Sequence, residues 1–329
     1  MFWWADKVLV LLAAFAPIRD DPSIEAAARE LQPSVAYVLD RDRRVGVLAL
    51  VDDQGTFIGH ARLAGSLEID AGLADGRRIR LRFKADDAVT GLAAWVSQRG
   101  AVPGMRPVAI ARQTLRPGSL LIGLVPSGAF RAQLASADRL GVVGSSRQVV
   151  DLSEVWFEAP SDPVAGALLF TASGQLYGIL GATLSSASQG EALRAGDVAK
   201  GLGARLPTPP VRLGPSKLTV GFALGREPLR RAVEGLSSPL GRVDRPALGV
   251  FCRDDPSGGA VIERVAEGSA AEKAGLAPGD VILQIGDLPV RNQIEFAKAM
   301  QAQRIGERVK LKVRRGSLVL EIWAAPERG

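Results

Sequence analysis

The sequence predicts a mostly β chain that ends in a small mixed α/β domain, and three observations carry that prediction. Short apolar runs broken by Gly, Asp, Pro and Ser clusters recur from Leu31 to Ile179, the spacing expected of a β-sandwich or barrel. Residues 182–216 then lose almost all apolar period and place three prolines within 207–210, which reads as a long loop or insertion. From 247 onward a different rhythm begins, with strand-like and helix-like segments alternating to the end of the chain. A length of 329 residues accommodates two domains at about 150 residues each.

In chain order, Val8–Phe15 is apolar but far below the ~20 residues a membrane span needs. Lys7 before it and Ala14-Phe15-Ala16 after it give residues 1–20 the look of a secretory signal. Asp6 in the leading region and Pro17 after the cut are departures from that pattern. Export to the cell envelope, with no integral membrane span, is the expectation. Strands are expected at Ser34–Leu39, Gly46–Val51, Arg78–Phe83, Leu120–Val125 and Leu176–Ile179. Arg78, Arg80, Arg82 and Lys84 alternate with Ile79, Leu81 and Phe83, the period of a half-buried strand. Lys310, Lys312 and Arg314 alternate with Val309, Leu311 and Val313 in the same way. Each is read as a solvated strand face, with an anion or acidic-partner surface as the alternative. Leu229, Ala232, Val233 and Leu236 fall at helical spacing over Glu227–Leu236.

Composition excludes several function classes. One cysteine, Cys252, forms no internal disulfide and no multi-cysteine zinc site. One histidine, His60, excludes multi-histidine metal sites and leaves a single ring for histidine-dependent catalysis. No metal or cofactor is therefore expected. The net charge is +6, from 41 Lys+Arg against 35 Asp+Glu, and only eight of the cations are lysines, scattered rather than gathered in a tail. With 5% aromatic residues, base-stacking platforms for nucleic acid are not expected.

The last segment, 247–329, carries Leu248-Gly249-Val250, then Gly268-Ser269-Ala270-Ala271-Glu272-Lys273-Ala274-Gly275-Leu276, Pro278-Gly279-Asp280 before an apolar strand, and a closing strand Val309–Val313. Ser269-Ala270-Ala271 opens a short helix that Gly275 stops, Pro278-Gly279-Asp280 is a turn, and Gln293–Gln303 is a second helix. Together these residues resemble a PDZ domain. The resemblance implies that an extended peptide or protein C-terminus adds a strand beside the second helix. Its carboxylate would sit on the Leu248-Gly249-Val250 loop, and Gln293, Ala297 and Met300 would line the groove. Gln293 stands where many relatives hold a histidine, so the ligand class stays open. Cys252 on the neighbouring strand reads as a buried small hydrophobe.

Upstream, Pro33-Ser34-Val35, the Gly46–Gly55 strand and hairpin, Leu73-Ala74-Asp75-Gly76-Arg77, Leu115–Ser119, Leu169–Ile179, Gly221–Leu224 and Gly241–Arg245 appear in the order of the HtrA family of exported serine proteases. This resemblance implies a trypsin-like double β-barrel over 31–240, followed by the PDZ domain, and a trimer or association with active relatives as possible assemblies. The family's histidine falls on Arg62, its aspartate on Gly91 and its nucleophilic serine on Ala165, while an oxyanion position falls on Pro163. An arginine stays protonated and cannot act as the base, an alanine has no hydroxyl, and a proline has no N–H to donate. The expectation is a pseudoprotease with no catalytic residues, serving as a peptide-binding adaptor, scaffold or chaperone-like holder. The alternative is an active serine endopeptidase with a relocated triad, using His60 as base, Ser161 or Ser173 as nucleophile and Asp86 or Asp87 as orienting acid. A third reading makes the basic strand faces a lipid or polyanion surface.

Overall fold

The computed structural model describes residues 22–141, 143–145, 148–158, 160, 162–184 and 218–329. The signal-like segment 1–20, Ser161 and most of 182–216 lie outside the described residues. The chain divides into two compact units, the first ending at Arg242 and the second running Val243–Gly329.

The first unit opens with a helix that the strand-by-strand sequence reading does not contain, α1 (Pro22–Leu31). Ile24, Ala28 and Leu31 are buried on its one face. Twelve strands follow: β1 (Val35–Asp40), β2 (Arg43–Leu50), β3 (Thr56–His60), β4 (Glu68–Gly72), β5 (Arg78–Asp87), β6 (Leu92–Ser97), β7 (Leu120–Val125), β8 (Gly128–Gly141), β9 (Val150–Glu158), β10 (Leu168–Thr171), β11 (Leu176–Leu184) and β12 (Leu218–Leu224). They close into two barrels. The first runs β1-β2-β3-β6-β5-β4 and the second, read from β7, runs β7-β8-β9-β12-β11-β10. The two orders are the same pattern repeated, and each ring is sealed by pairing its first and fourth strands, β1 with β4 and β7 with β10. Closure removes exposed sheet edges, which open antiparallel sheets must otherwise protect.

Each barrel is filled from within. Leu48, Phe57, Leu81 and Trp95 pack the first, and Leu121, Leu134, Phe157, Leu169 and Leu180 the second. Every one of these side chains is fully buried, worth about 1.5–3 kcal/mol per large aliphatic or aromatic group. The alternation along β5 is the one its sequence predicts, with Arg78, Arg80 and Arg82 outside and Leu81 inside. That strand continues past Phe83 to Asp87, and β11 continues through 184, so residues 182–184 belong to a strand rather than to an insertion. Helix α2 (Arg226–Ser237) buries Leu229, Ala232, Val233 and Leu236, while Arg230 bridges Glu227 and Glu234 on its wet side.

The second unit holds β13 (Pro246–Ala247), β14 (Val250–Asp254), β15 (Ala260–Val265), α3 (Ala270–Lys273), β16 (Val281–Ile285), β17 (Leu288–Pro289), α4 (Gln293–Gln301), β18 (Val309–Arg315), β19 (Leu318–Ala324) and β20 (Glu327–Arg328). The main sheet is ordered β14-β15-β16-β18-β19, with β17 paired to β16, so β14 and β19 are its edges. Ser269 caps α3 by accepting the Glu272 N–H, and Gly275 ends it in the left-handed region at φ 76°. The core joins Leu248, Ile262, Ala271, Ile282, Met300, Leu311 and Val313.

Candidate functional site

Two places in the molecule gather the residues singled out from sequence. The first is the edge of the second unit. Edge strand β14 leaves one side of its backbone ladder open, and α4 packs alongside it. The start of α4 is held by Asn292, whose side chain accepts the Glu295 N–H at 2.8 Å. Asp254 at the end of β14 accepts the Gln293 N–H, also at 2.8 Å. The Asn292-x-x-Glu295 spacing is a helix-start signal present in the sequence but not used there. Gln293, Ala297 and Met300 fall on one helix face; the first two stay half-exposed, whereas Met300 is buried in the core beneath them.

The loop entering β14 is anchored from behind. The Leu248 carbonyl accepts the Ala271 N–H and the Gly249 carbonyl accepts the Ala266 N–H, each at 2.8 Å. Gly249 has φ 78°, and a Cβ placed on it would stand 2.4 Å from the Ser269 Cβ, so only glycine fits. Val250 and Cys252 point to the core side of β14. Burial, with the Glu263 charge second, pushes the Cys252 thiol up to about 12, which keeps it protonated and unreactive. On the opposite face Phe251 is exposed and lies under the Arg264 guanidinium at 3.8 Å.

The second place is a junction in the first unit where three separate segments converge. His60 ends β3 and pairs with Leu92 of β6. The chain then makes a single 3-10 turn, Ala61–Leu63, with Ala61 donating to the Gly91 carbonyl at 2.7 Å. Gly91 sits at φ 68° in the β5–β6 turn. Facing them, Val164-Ala165-Gly166-Ala167 forms a tight turn closed by Ala167 N–H to Val164 O at 2.9 Å, with Gly166 at φ 86°. Gly166 also donates to Leu180 O at 2.7 Å. A Cβ on Gly166 would lie 2.9 Å from the His60 Cβ and 3.3 Å from Arg62 Nε, so the two walls touch there. Arg62, Gly91 and the Ala165–Gly166 turn, far apart in sequence, are thus neighbours.

The groups at this junction define what it can do. His60 Nδ1 accepts the Arg62 backbone N–H at 3.1 Å, which leaves the proton of the neutral ring on Nε2. Burial and, second, the nearby Arg62 charge lower its pKa, so the ring is neutral at pH 7. A triad base needs the opposite tautomer, with Nδ1–H held by a carboxylate and Nε2 free to take a serine proton. The Asp87 carboxylate accepts from Thr90 N at 3.2 Å and Thr90 Oγ1 at 2.6 Å. Ser173 lies in the β10–β11 turn, hydrogen-bonded to Thr171 Oγ1 at 2.9 Å. Among the described residues no cluster of His, Cys, Asp and Glu is placed to hold a metal ion, and no helix is long and apolar enough to cross a membrane.

Comparison with known proteins follows the same division. A PDZ-domain family model matches residues 261–315. The chain is 24% identical over 273 residues to the serine protease Do-like HtrA of Lactococcus lactis subsp. lactis, covering 76% of this chain and 61% of that protein. It is 31% identical over 121 residues to the chloroplastic Protease Do-like 8 of Arabidopsis thaliana, covering 31% of this chain and 27% of that protein. A probable periplasmic DegP-like serine endoprotease of Rickettsia conorii is 27% identical over 118 residues, covering 32% of this chain and 23% of that protein. The chain therefore spans from about a quarter to three-fifths of the length of these curated relatives. Among solved structures, the HtrA-type protease AlgW with a decapeptide superposes with TM-score 0.66 at 19% identity, covering 93% of this chain and 98% of that one. The serine endoprotease of Yersinia pestis superposes with TM-score 0.62 at 17% identity, covering 95% and 99%.

Two matching six-stranded barrels followed by a PDZ domain define the class: a trypsin-like fold with an appended PDZ unit. Within that class the chain is a homologue of the HtrA-family serine proteases.

Proposed function

We propose that this protein is a non-catalytic HtrA-like peptide binder of the cell envelope, its double barrel kept as a scaffold and its PDZ unit capturing C-terminal or extended segments of other proteins. The observation that carries the reading is the chemistry of the junction. The positions matched to the family's base, acid, nucleophile and oxyanion donor hold Arg62, Gly91, Ala165 and Pro163. Arg62 cannot remove a proton, Gly91 has no side chain to orient a base, Ala165 has no hydroxyl to attack a carbonyl, and Pro163 has no N–H to donate to an oxyanion. The open ladder of β14, the anchored Leu248-Gly249-Val250 loop and the half-exposed Gln293 and Ala297 fit an added peptide strand. Export is supported by the description of the Rickettsia relative as a probable periplasmic endoprotease.

Treatment of the purified protein with a fluorophosphonate probe, alongside a casein-cleavage assay, tests the first half. No labelling and no cleavage are expected. Labelling that disappears in His60→Ala would replace this reading with the relocated-triad endopeptidase. A peptide display screened against the full chain tests the second half, with enrichment expected for peptides that end in a free carboxylate or that present an extended internal segment, and no enrichment of either overturning it.

A further inference from the structure

The arginines of β5, which neither the PDZ groove nor the protease-like junction uses, form one wall of an open groove. A pocket of about 560 Å³ opens on the first barrel between β4, β5 and the chain leaving β6. Arg77, Arg78, Arg80 and Arg99 line it against one carboxylate, Asp70, and Ile79 and Val102 supply apolar lining. Ser97 and Val102 form its buried floor and the arginines its exposed walls, so it is an open groove that a ligand reaches directly from solvent.

How these guanidiniums are engaged indicates what the pocket would take. Arg80 holds Asp70 through Nε at 3.0 Å, Arg77 holds Asp75 at 2.7 Å and the Pro103 carbonyl at 2.6 Å, and Arg78 holds Asp42 at 2.6 Å. Arg99 has no carboxylate partner among the described residues. Nor does Arg82, which stands opposite Glu68, whose carboxylate instead accepts from the Gln98 amide at 2.7 Å. Arg41 and Arg43, flanking Asp42 on the hairpin that Arg78 reaches, are likewise without carboxylate partners. A singly charged carboxylate entering the pocket would be matched by Arg99 alone, because the other three guanidiniums already hold Asp42, Asp70 and Asp75. A phosphate group carries up to two charges and three acceptor oxygens, so it can engage Arg99 and still share the outward N–H groups of arginines already paired.

We propose that this pocket is a binding site for a phosphate-bearing ligand, with Arg99 as its primary anchor and the paired arginines as its rim. The ligand's source is either a soluble polyphosphorylated molecule or the headgroup of an anionic phospholipid. Isothermal titration of the full chain with tripolyphosphate reads the soluble source. Co-sedimentation with vesicles of equimolar phosphatidylglycerol and phosphatidylcholine, against phosphatidylcholine alone, reads the headgroup. Arg99→Glu is compared with Lys312→Glu, the same charge change on the exposed face of β18 in the other unit. Arg99→Glu is expected to weaken binding by about tenfold or more, the worth of one charge-assisted pair, and Lys312→Glu by less than twofold. Both residues are exposed, so both variants are expected to melt with the parent. Arg99-dependent binding of tripolyphosphate assigns a soluble ligand, and Arg99-dependent binding confined to the phosphatidylglycerol vesicles assigns a headgroup. Absence of binding in both arms, or equal weakening by the two variants, overturns the proposal, the second because it would reveal only diffuse positive charge.

Discussion

Asp280 is the place where the stability of the PDZ unit is most directly open to test. Its carboxylate is 1% exposed and accepts Arg315 Nε and Nη2 at 2.7 Å each, together with the Ala277 N–H at 2.9 Å. Its carbonyl accepts the Ile262 N–H at 2.8 Å, and Leu276 donates to Ala271 O at 3.0 Å, so this turn braces the helix that holds the Leu248 carbonyl. Asp280→Asn keeps the shape but removes the carboxylate charge from the two charge-assisted bonds, leaving one Arg315 N–H on the amide oxygen and setting the other against the amide NH2. Because the Arg315 side is open to water, the expected loss lies at the lower end of the range for such bonds, about 2 kcal/mol. That corresponds to roughly 30-fold faster amide exchange in segments spanning 261–315, with the barrel segments of the same sample as control. Burial alone would raise the carboxyl's pKa; the Arg315 hydrogen bonds, the Ala277 N–H and the Arg315 charge outweigh it and hold it below the ordinary range. A depressed native pKa stabilises the fold above the unfolded value of about 3.9, and that stabilisation fades as pH falls through the native value. The gap between parent and variant should therefore be full at about pH 7 and shrink at about pH 3. Equal exchange at neutral pH, or a gap indifferent to acid, would refute the reasoning.

Four further outcomes are expected. Gly249→Ala forces a left-handed φ and a Cβ 2.4 Å from that of Ser269, so fluorescence polarisation should show C-terminal peptide affinity falling by roughly tenfold or more, since the backbone term alone is about 1–2 kcal/mol. Arg62→His, Gly91→Asp and Ala165→Ser combined should leave fluorogenic casein intact, and any rate seen should rise by roughly 10²–10³ when Pro163→Gly restores the missing N–H. The single imidazole should titrate below 6.5 by NMR, and Arg62→Ala should raise it only part of the way, because burial is the larger cause. As a depressed pKa, it also predicts stability lost as pH falls from about 6.5 toward the native value. Cys252 should resist a disulfide reagent at about pH 8 in the native protein and react fully in denaturant, as a thiol pushed up to about 12 requires.

Local patterns were readable wherever one face of an element is buried and the other is wet. β5 and β18 follow their alternation, β7 occupies Leu120–Val125 as its apolar run indicates, and α3 lies between a serine cap and a stopping glycine. Long-range pairing was not readable. β11 runs on to Leu184 because β12, more than thirty residues later, pairs with it, and nothing within 182–184 announces that partner. β19 escaped notice because it is an edge strand: Val319 and Trp323 are exposed, so no clean inside-outside contrast marks it. At the junction, motif order supplied Arg62, Gly91 and Ala165 one by one. Their meeting depends on barrel closure, which no local window contains.

The backbone that assembles this junction does not depend on the side chains that chemistry would need. Ala61 N–H to Gly91 O, Ala167 N–H to Val164 O and Gly166 N–H to Leu180 O are main-chain bonds, indifferent to whether the neighbouring residue is a serine, an aspartate or a histidine. The demands that remain are geometric: a left-handed residue at 91 and at 166, and no Cβ at 166 where His60 stands 2.9 Å away. Gly91 even relieves one of them, since an aspartate at φ 68° would carry a strain that glycine does not. Buried, hydrogen-bonded charges at a catalytic centre are themselves costly to hold. Read as non-catalytic, a double barrel without those charges loses little stability, because its cores and its closure do not depend on them. On the non-catalytic reading this is why the framework motifs persist in order while the reactive positions do not, and why restoring side chains alone should fail until Pro163 regains an N–H.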